Sequence, residues 1–139
     1  MKRWVGLVIA VTVCAPVLAG CGESDQPKQV AVDFTKAAGE GKGAKACSYL
    51  SPAKLLRIKR LRQQTGQPKD CATYAVDNAG LKAPEAKRVT VQQIRGRDGA
   101  AVEVRGSGGK TVAVLLVKQG DTWKVSDFVR VPSRGTTGS

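Results

Sequence analysis

The sequence predicts an α+β fold in which helices come first and an antiparallel sheet of about four strands follows. Two observations predict it. Apolar residues recur at helical spacing as far as Asn78, and from Lys87 the period changes to two. A third fixes the connectivity: the two-period segments are joined by short glycine turns, the mark of a meander rather than of crossovers. With all helices N-terminal to the sheet, they are expected to cover one of its faces.

The chain has 139 residues and opens on Met1, Lys2 and Arg3. Trp4 to Val17 is almost wholly apolar, and is too short and too soon followed by polar residues for an ordinary membrane span. Leu18-Ala19-Gly20-Cys21 closes this segment and resembles the lipobox of bacterial lipoproteins: a leucine, two small residues, then cysteine. The resemblance implies diacylglyceryl transfer to the Cys21 sulfur, cleavage between Gly20 and Cys21, and acylation of the new amino group. It makes residues 1–20 a lipoprotein signal peptide and residues 21–29 the lipidated cysteine and its tether. A plain secretory signal with an incidental cysteine is the competing reading. The expected location is the cell membrane, lipid-anchored on its extracytoplasmic side.

After cleavage 119 residues remain, enough for a single core. The 23 Lys and Arg outnumber the 11 Asp and Glu, and Lys2 and Arg3 leave with the signal. That leaves 21 bases against 11 acids, a net charge of +10 for the mature chain. Such a chain prefers anionic company. Outside the cytoplasm this means anionic lipid headgroups or acidic wall polymers rather than nucleic acid. The identity of a protein partner is not readable from the sequence. Histidine is absent, which removes the commonest general base and zinc ligand. No Ser-His-Asp or Cys-His triad can be built, and no metal or other cofactor is expected. Cys14 leaves with the signal and Cys21 carries lipid, so Cys47 and Cys71 remain. In an oxidising compartment they are expected to pair, adding about 3 kcal/mol by loop closure. The alternative, a reactive thiol, has no CxxC partner.

A single domain is expected over residues 30–131. Gly22 to Gln26 is small and polar and reads as tether. Pro27 suits a first helical turn. Val30, Phe34 and Ala37-Ala38 then repeat at helical spacing, and Gly39, Gly41 and Gly43 read as a flexible connector. Ala44 to Leu50 is a short second helix carrying Cys47. Ser51-Pro52 opens a third, with Ser as N-cap and Pro at the first helical position. In Ala53 to Gln64, Leu55, Ile58 and Leu61 form the expected core side. Lys54, Arg57, Lys59, Arg60 and Arg62 take most of the rest, and form a candidate anionic-surface site. No acid lies between Ser51 and Lys69, so no helical ion pairs offset this charge. Gly66 and Pro68 end the helix. Asp70 N-caps a fourth helix to Asn78, with Cys71 in its first turn, and Pro84 marks a loop.

In the sheet, Val89 and Val91 alternate with Thr90 and Gln92, and Val102 and Val104 with Glu103 and Arg105. Gly106 to Gly109 is a turn. Thr111 to Lys118 is apolar on both faces, as expected of a central strand covered on both sides. Gly120-Asp121 is the next turn, and Trp123, Val125, Phe128 and Val129 make the last strand. Residues 132–139 read as a polar, disordered tail.

The opening helix with Phe34, the small helical pair, Ser51-Pro52 and the closing Leu115-Leu116-Val117-Lys118, Gly120-Asp121-Thr122-Trp123-Lys124-Val125 and Asp127-Phe128 resemble small secreted proteins of the nuclear transport factor two-like superfamily. The likeness covers about Val30 to Val131. It implies a curved sheet wrapped by helices into a cone that can hold a ligand. Some members, such as ketosteroid isomerase, place an acid and a tyrosine in that cavity. Asp33, Asp77, Tyr49 and Tyr74 have the chemistry for such roles, but none falls in a matching motif, and no catalytic role is carried over. Trp123 and Phe128 read as core. The expected function is therefore that of a non-catalytic, membrane-anchored envelope protein. Its α+β domain would bind a small ligand or partner, and its basic helix would meet anionic surfaces. The alternative is an enzyme of the cone fold acting on a small apolar ligand.

Overall fold

The computed structural model describes residues 25–66 and 70–132. The signal segment 1–20, cleavage after Gly20, lipidation at Cys21 and all but Pro132 of the 132–139 tail lie outside the described residues. Among the described residues, four helices precede a four-stranded antiparallel open sheet, in an α+β arrangement with the helices packed on one face.

Helix α1 spans Asp25–Gly39 and buries Pro27, Ala31, Phe34, Thr35, Ala37 and Ala38. These positions recur at three- and four-residue spacing, so one stripe faces inward. The helix starts earlier than the boundary at residue 30. Residues 25–29, expected as tether, form its first turns: Pro27 is buried, while the polar neighbours face water. Thr35 is buried but satisfied, its hydroxyl donating to the Ala31 carbonyl at 3.0 Å.

The glycines after α1 are structural rather than a loose connector. Gly41 takes φ +73° and completes a Schellman closure in which Lys42 N–H donates to the Ala37 carbonyl at 2.9 Å and Gly41 N–H to that of Ala38 at 3.2 Å. A Cβ on Gly43 would stand 2.6 Å from the Ala72 Cβ, so only glycine allows the close approach of the next two elements.

Those elements are α2, Gly43–Ser48, and α4, Cys71–Ala79. Cys47 and Cys71 stand at disulfide distance, S–S 2.08 Å with Cα atoms 6.2 Å apart, and staple α2 to the first turn of α4. Asp70 caps α4 by accepting from Thr73 N–H at 2.8 Å. Between them, α3 spans Pro52–Thr65, with Ser51 accepting from Lys54 N–H and Gly66 closing it in the left-handed conformation.

The strands are β1 Glu85–Ile94, β2 Arg97–Arg105, β3 Thr111–Gln119 and β4 Thr122–Val131, paired in that order. The β1–β2 turn is Arg95-Gly96, both at positive φ, as a two-residue type I′ turn requires. The helix face of the sheet is apolar: Ala100, Val102, Val104, Val112, Val114, Leu116, Trp123, Val125 and Phe128 are buried against Phe34, Leu50 and the helical alanines. Phe34 and Phe128 pack at 5.0 Å between ring centroids.

The expectation that β3 is covered on both faces is corrected. Although β3 lies between β2 and β4, the described helices that pack on the sheet lie on one side, with α3 leaving from its edge. On the other, Leu115 and Val129 are exposed and Ala113 and Val117 half-buried. A groove of about 780 Å³, lined by Arg88, Thr90, Glu103, Arg105, Ala113 and Val131 among others, crosses that side.

Segment 49–51 closes the outer edge of β4. Ser51 N–H donates to the Val125 carbonyl and Val125 N–H to that of Tyr49, each at 2.8 Å, around a parallel Leu50–Val125 bridge. Helix α3 is therefore launched from the sheet edge. The buried side chains run from Pro27 to Phe128, so the chain from Gly22 onward contains the whole of this core.

Candidate functional site

The basic helix α3 is rooted at one end. Its first turn leaves the edge of β4, where the register slips between Leu115 and Leu116 and Ser126 becomes the extra residue of a bulge. The bulge re-aims the following residue, so that the Asp127 carboxylate meets α3. Lys54 Nζ lies 2.7 Å from Asp127 Oδ1 and stands over the rings of Phe128 and Tyr74, 5.0 and 5.5 Å from their centroids. Lys54 is only 3% exposed. A buried ammonium is tolerated when a carboxylate and ring faces replace its water.

This corrects one assignment. Lys54 belongs to the foundation of the helix and does not reach an external surface. Arg57 lies 3.7 Å from Asp127 Oδ2 but stays largely exposed. Burial by itself raises the Asp127 carboxyl. The Lys54 hydrogen bond and charge, the Phe128 N–H and the Arg57 charge outweigh it, and hold the group below the usual carboxylate range. Asp70, at the start of α4, is likewise lowered, by the Thr73 N–H it accepts from.

Arg57, Lys59, Arg60 and Arg62 are all exposed, so four of the five predicted bases, all of them on α3, reach water. The apolar side of α3 departs further from expectation. Of Leu55, Ile58 and Leu61, only Ile58 is buried, and Leu55, Leu56 and Leu61 are exposed. The reason is sparse support. Among the described residues the sheet edge and α4 are the main supports of α3, and its buried side chains are Lys54 and Ile58.

The acids and tyrosines considered for catalysis are not gathered between helices and sheet. Asp33 and Tyr49 line one cleft of about 290 Å³ with Lys36, Glu40, Lys42 and Lys45, formed by α1, α2 and their connection and by no strand residue. Asp33 accepts a hydrogen bond from Gln29 at 2.9 Å. Tyr74 lies on α4 with its ring edge against Phe128 at 5.6 Å, and Asp77 lies one turn on at the helix surface. Trp123 and Phe128 are buried, as expected. Among the described residues no group of three or more Cys, Asp and Glu is placed to hold a metal, and no helix is long and apolar enough to cross a membrane.

Sequence reasoning missed Asp127. It stood in the closing Asp127-Phe128 pair without a role of its own, because that role depends on the bulge beside it. Comparison of the chain with protein-family models, with curated proteins and with solved structures finds no match.

Proposed function

We propose that this protein is a lipid-anchored, extracytoplasmic envelope protein that works without catalysis, by docking its basic helix on an anionic surface close to its anchor. The observation that carries the reading is α3: a 14-residue helix fixed at its base by Lys54–Asp127, with Arg57, Lys59, Arg60 and Arg62 in water. A charge run that only kept the domain soluble has no need of a buried lysine paired with a carboxylate at its root.

The tether supports the same reading. Cys21 is the anchor by its resemblance to the lipobox. Because α1 begins at Asp25, four residue steps separate them, at most about 14 Å of extended chain. Attraction in physiological salt is screened over about 8 Å, so the anchor brings the domain near the range where these charges act. Each base on an anionic membrane adds about 1 kcal/mol. Two or more acyl chains on Cys21 make the attachment stable where one is marginal. The cone-shaped enzyme reading draws less support, since the interval between helices and sheet is filled by Phe34, Leu116, Val114 and Phe128.

The test has two arms. A fatty-acid analogue should label the wild-type chain in cells and leave Cys21→Ala unlabelled. The purified chain from Gly22 onward should bind anionic vesicles, ignore neutral ones, and lose most of that binding in Arg57→Glu/Arg60→Glu. Label on Cys21→Ala refutes the anchor, and equal binding by the double variant refutes the docking helix.

A further inference from the structure

Charge alone leaves two anionic surfaces equal: a lipid bilayer and a hydrated acidic polymer. The exposed leucines of α3 separate them. Leu56 is 56% exposed, and Leu55 and Leu61 are 37% and 39%. At 100° per residue, Leu56 points about 200° away from Lys54, which is to say away from the rooted face. Lys59 and Arg60 lie three and four residues beyond Leu56, and Lys59 lies four beyond Leu55, so these bases flank the leucines on the helix surface. The outward side of α3 thus carries Leu56, with Leu55 on the adjoining flank about 100° from Lys54, both bordered by cations and with no acid in the helix.

A polyanion in water offers partners for the cations and none for the leucines. A bilayer offers both, with phosphates at headgroup depth and acyl chains just beneath. Interfacial helices bind by this combination, lying in the membrane plane with apolar residues sunk about 5–10 Å. Long basic side chains bend up to the headgroups while their stems stay with the apolar residues. The root at Lys54–Asp127 holds the first turn on the domain, so Leu55 and Leu56, one and two residues on, are presented from a fixed point.

We propose that α3 inserts Leu55 and Leu56 into the acyl boundary of an anionic bilayer while Lys59, Arg60 and Arg62 bind lipid phosphates, so that the protein grips the membrane at a second point beside its anchor. This rests on the membrane-docking reading above and makes the contact partly hydrophobic.

The experiment uses the chain from Gly22 onward carrying Leu56→Trp, whose other tryptophan, Trp123, is buried in the core. Probes are phosphatidylglycerol–phosphatidylcholine vesicles, pure phosphatidylcholine vesicles and soluble polyphosphate. With the anionic vesicles, emission should shift to the blue and be quenched by lipids brominated on their acyl chains. Part of the binding should survive about 1 M salt, where the screening length is ~3 Å. Leu55→Ser/Leu56→Ser should weaken binding about tenfold or more at an unchanged melting temperature. Vesicle binding with no shift, no quenching and full release by salt overturns insertion and leaves the charge-based docking standing. Binding to polyphosphate equal to that on vesicles overturns insertion by assigning the helix to a polymer. No binding to any probe overturns both readings.

Discussion

Helices α1 and α3 are nearly the same length, 15 and 14 residues, and are held in opposite ways. The first lies across the sheet and buries six side chains, Phe34 at their centre. The second buries two, Lys54 and Ile58, and projects from the edge of β4. Short isolated helices are marginal in water, and a helix with five bases and no acid gains nothing from internal ion pairs. What keeps α3 in place is therefore its first half: the Ser51 cap, the Ser51–Val125 backbone bond, the Lys54–Asp127 pair and the buried Ile58. The contrast teaches that two amphipathic patterns of equal length can serve as a wall of the core and as an outrigger. The number of neighbouring elements decides which.

The largest expected break in this comparison is Phe34→Ala. It empties the contact with Phe128 and should cost about 3–5 kcal/mol in denaturant unfolding. Leu56→Ala on the outrigger should change stability by less than about 0.5 kcal/mol. Similar losses at the two positions would mean that α3 packs on something more than α4 and the sheet edge.

Next comes α4, on which both helices rest. Removing its staple with Cys47→Ala/Cys71→Ala should lower stability by about 2–4 kcal/mol. The oxidised wild type should read two hydrogens lighter by mass than its reduced form. Two free thiols in freshly purified, unreduced protein would count against the pair.

The smallest effect is at the root of α3. Asp127→Ala leaves the Lys54 ammonium buried without its carboxylate, which should cost about 2 kcal/mol. That is below the usual figure for a buried pair, because the Asp127 side chain is 43% exposed and admits water. Lys54→Met should cost less, since the partner it abandons is already half in solvent beside Arg57. The pH dependence has a definite sign. The folded-state pKa of Asp127 is lowered, so its contribution is complete above the unfolded carboxyl range near pH 4 and fades as pH falls through the lower folded value. The stability gap between wild type and Asp127→Asn should be flat from neutral pH down to about 5 and close below 4. A gap that widens in acid would contradict this assignment of the pair.

Much of the fold was legible because it is written in short-range terms. Ser51-Pro52 and Asp70 are local caps, the recurrence of Val30, Phe34 and Ala37-Ala38 and the alternation of Val102 with Val104 are local periods, and the glycine turns sit where the hairpins close. The Arg95-Gly96 turn was less visible because arginine is an uncommon first residue of a type I′ turn. The start of α1 was obscured by polar residues that looked like tether and are the wet side of a helix.

The sequence by itself determined the class of fold, the order of elements, the pairing of two cysteines once the others are assigned, and a basic acid-free helix. Tertiary structure alone decided which side of each element meets another. Periodicity states that a face is apolar, and says nothing of whether a partner is near enough to cover it. β3 is apolar on two sides and only one found helices; Leu55 and Leu61 form a stripe with Ile58 and only Ile58 found the body. Lys54 belongs to the basic pattern of α3 by sequence, and a one-residue bulge at Ser126 turns Asp127 toward it and takes it inward. Burial, pairing and exposure depend on distances between residues far apart in the chain, here 73 positions for Lys54 and Asp127, and such distances exist only once the elements have packed.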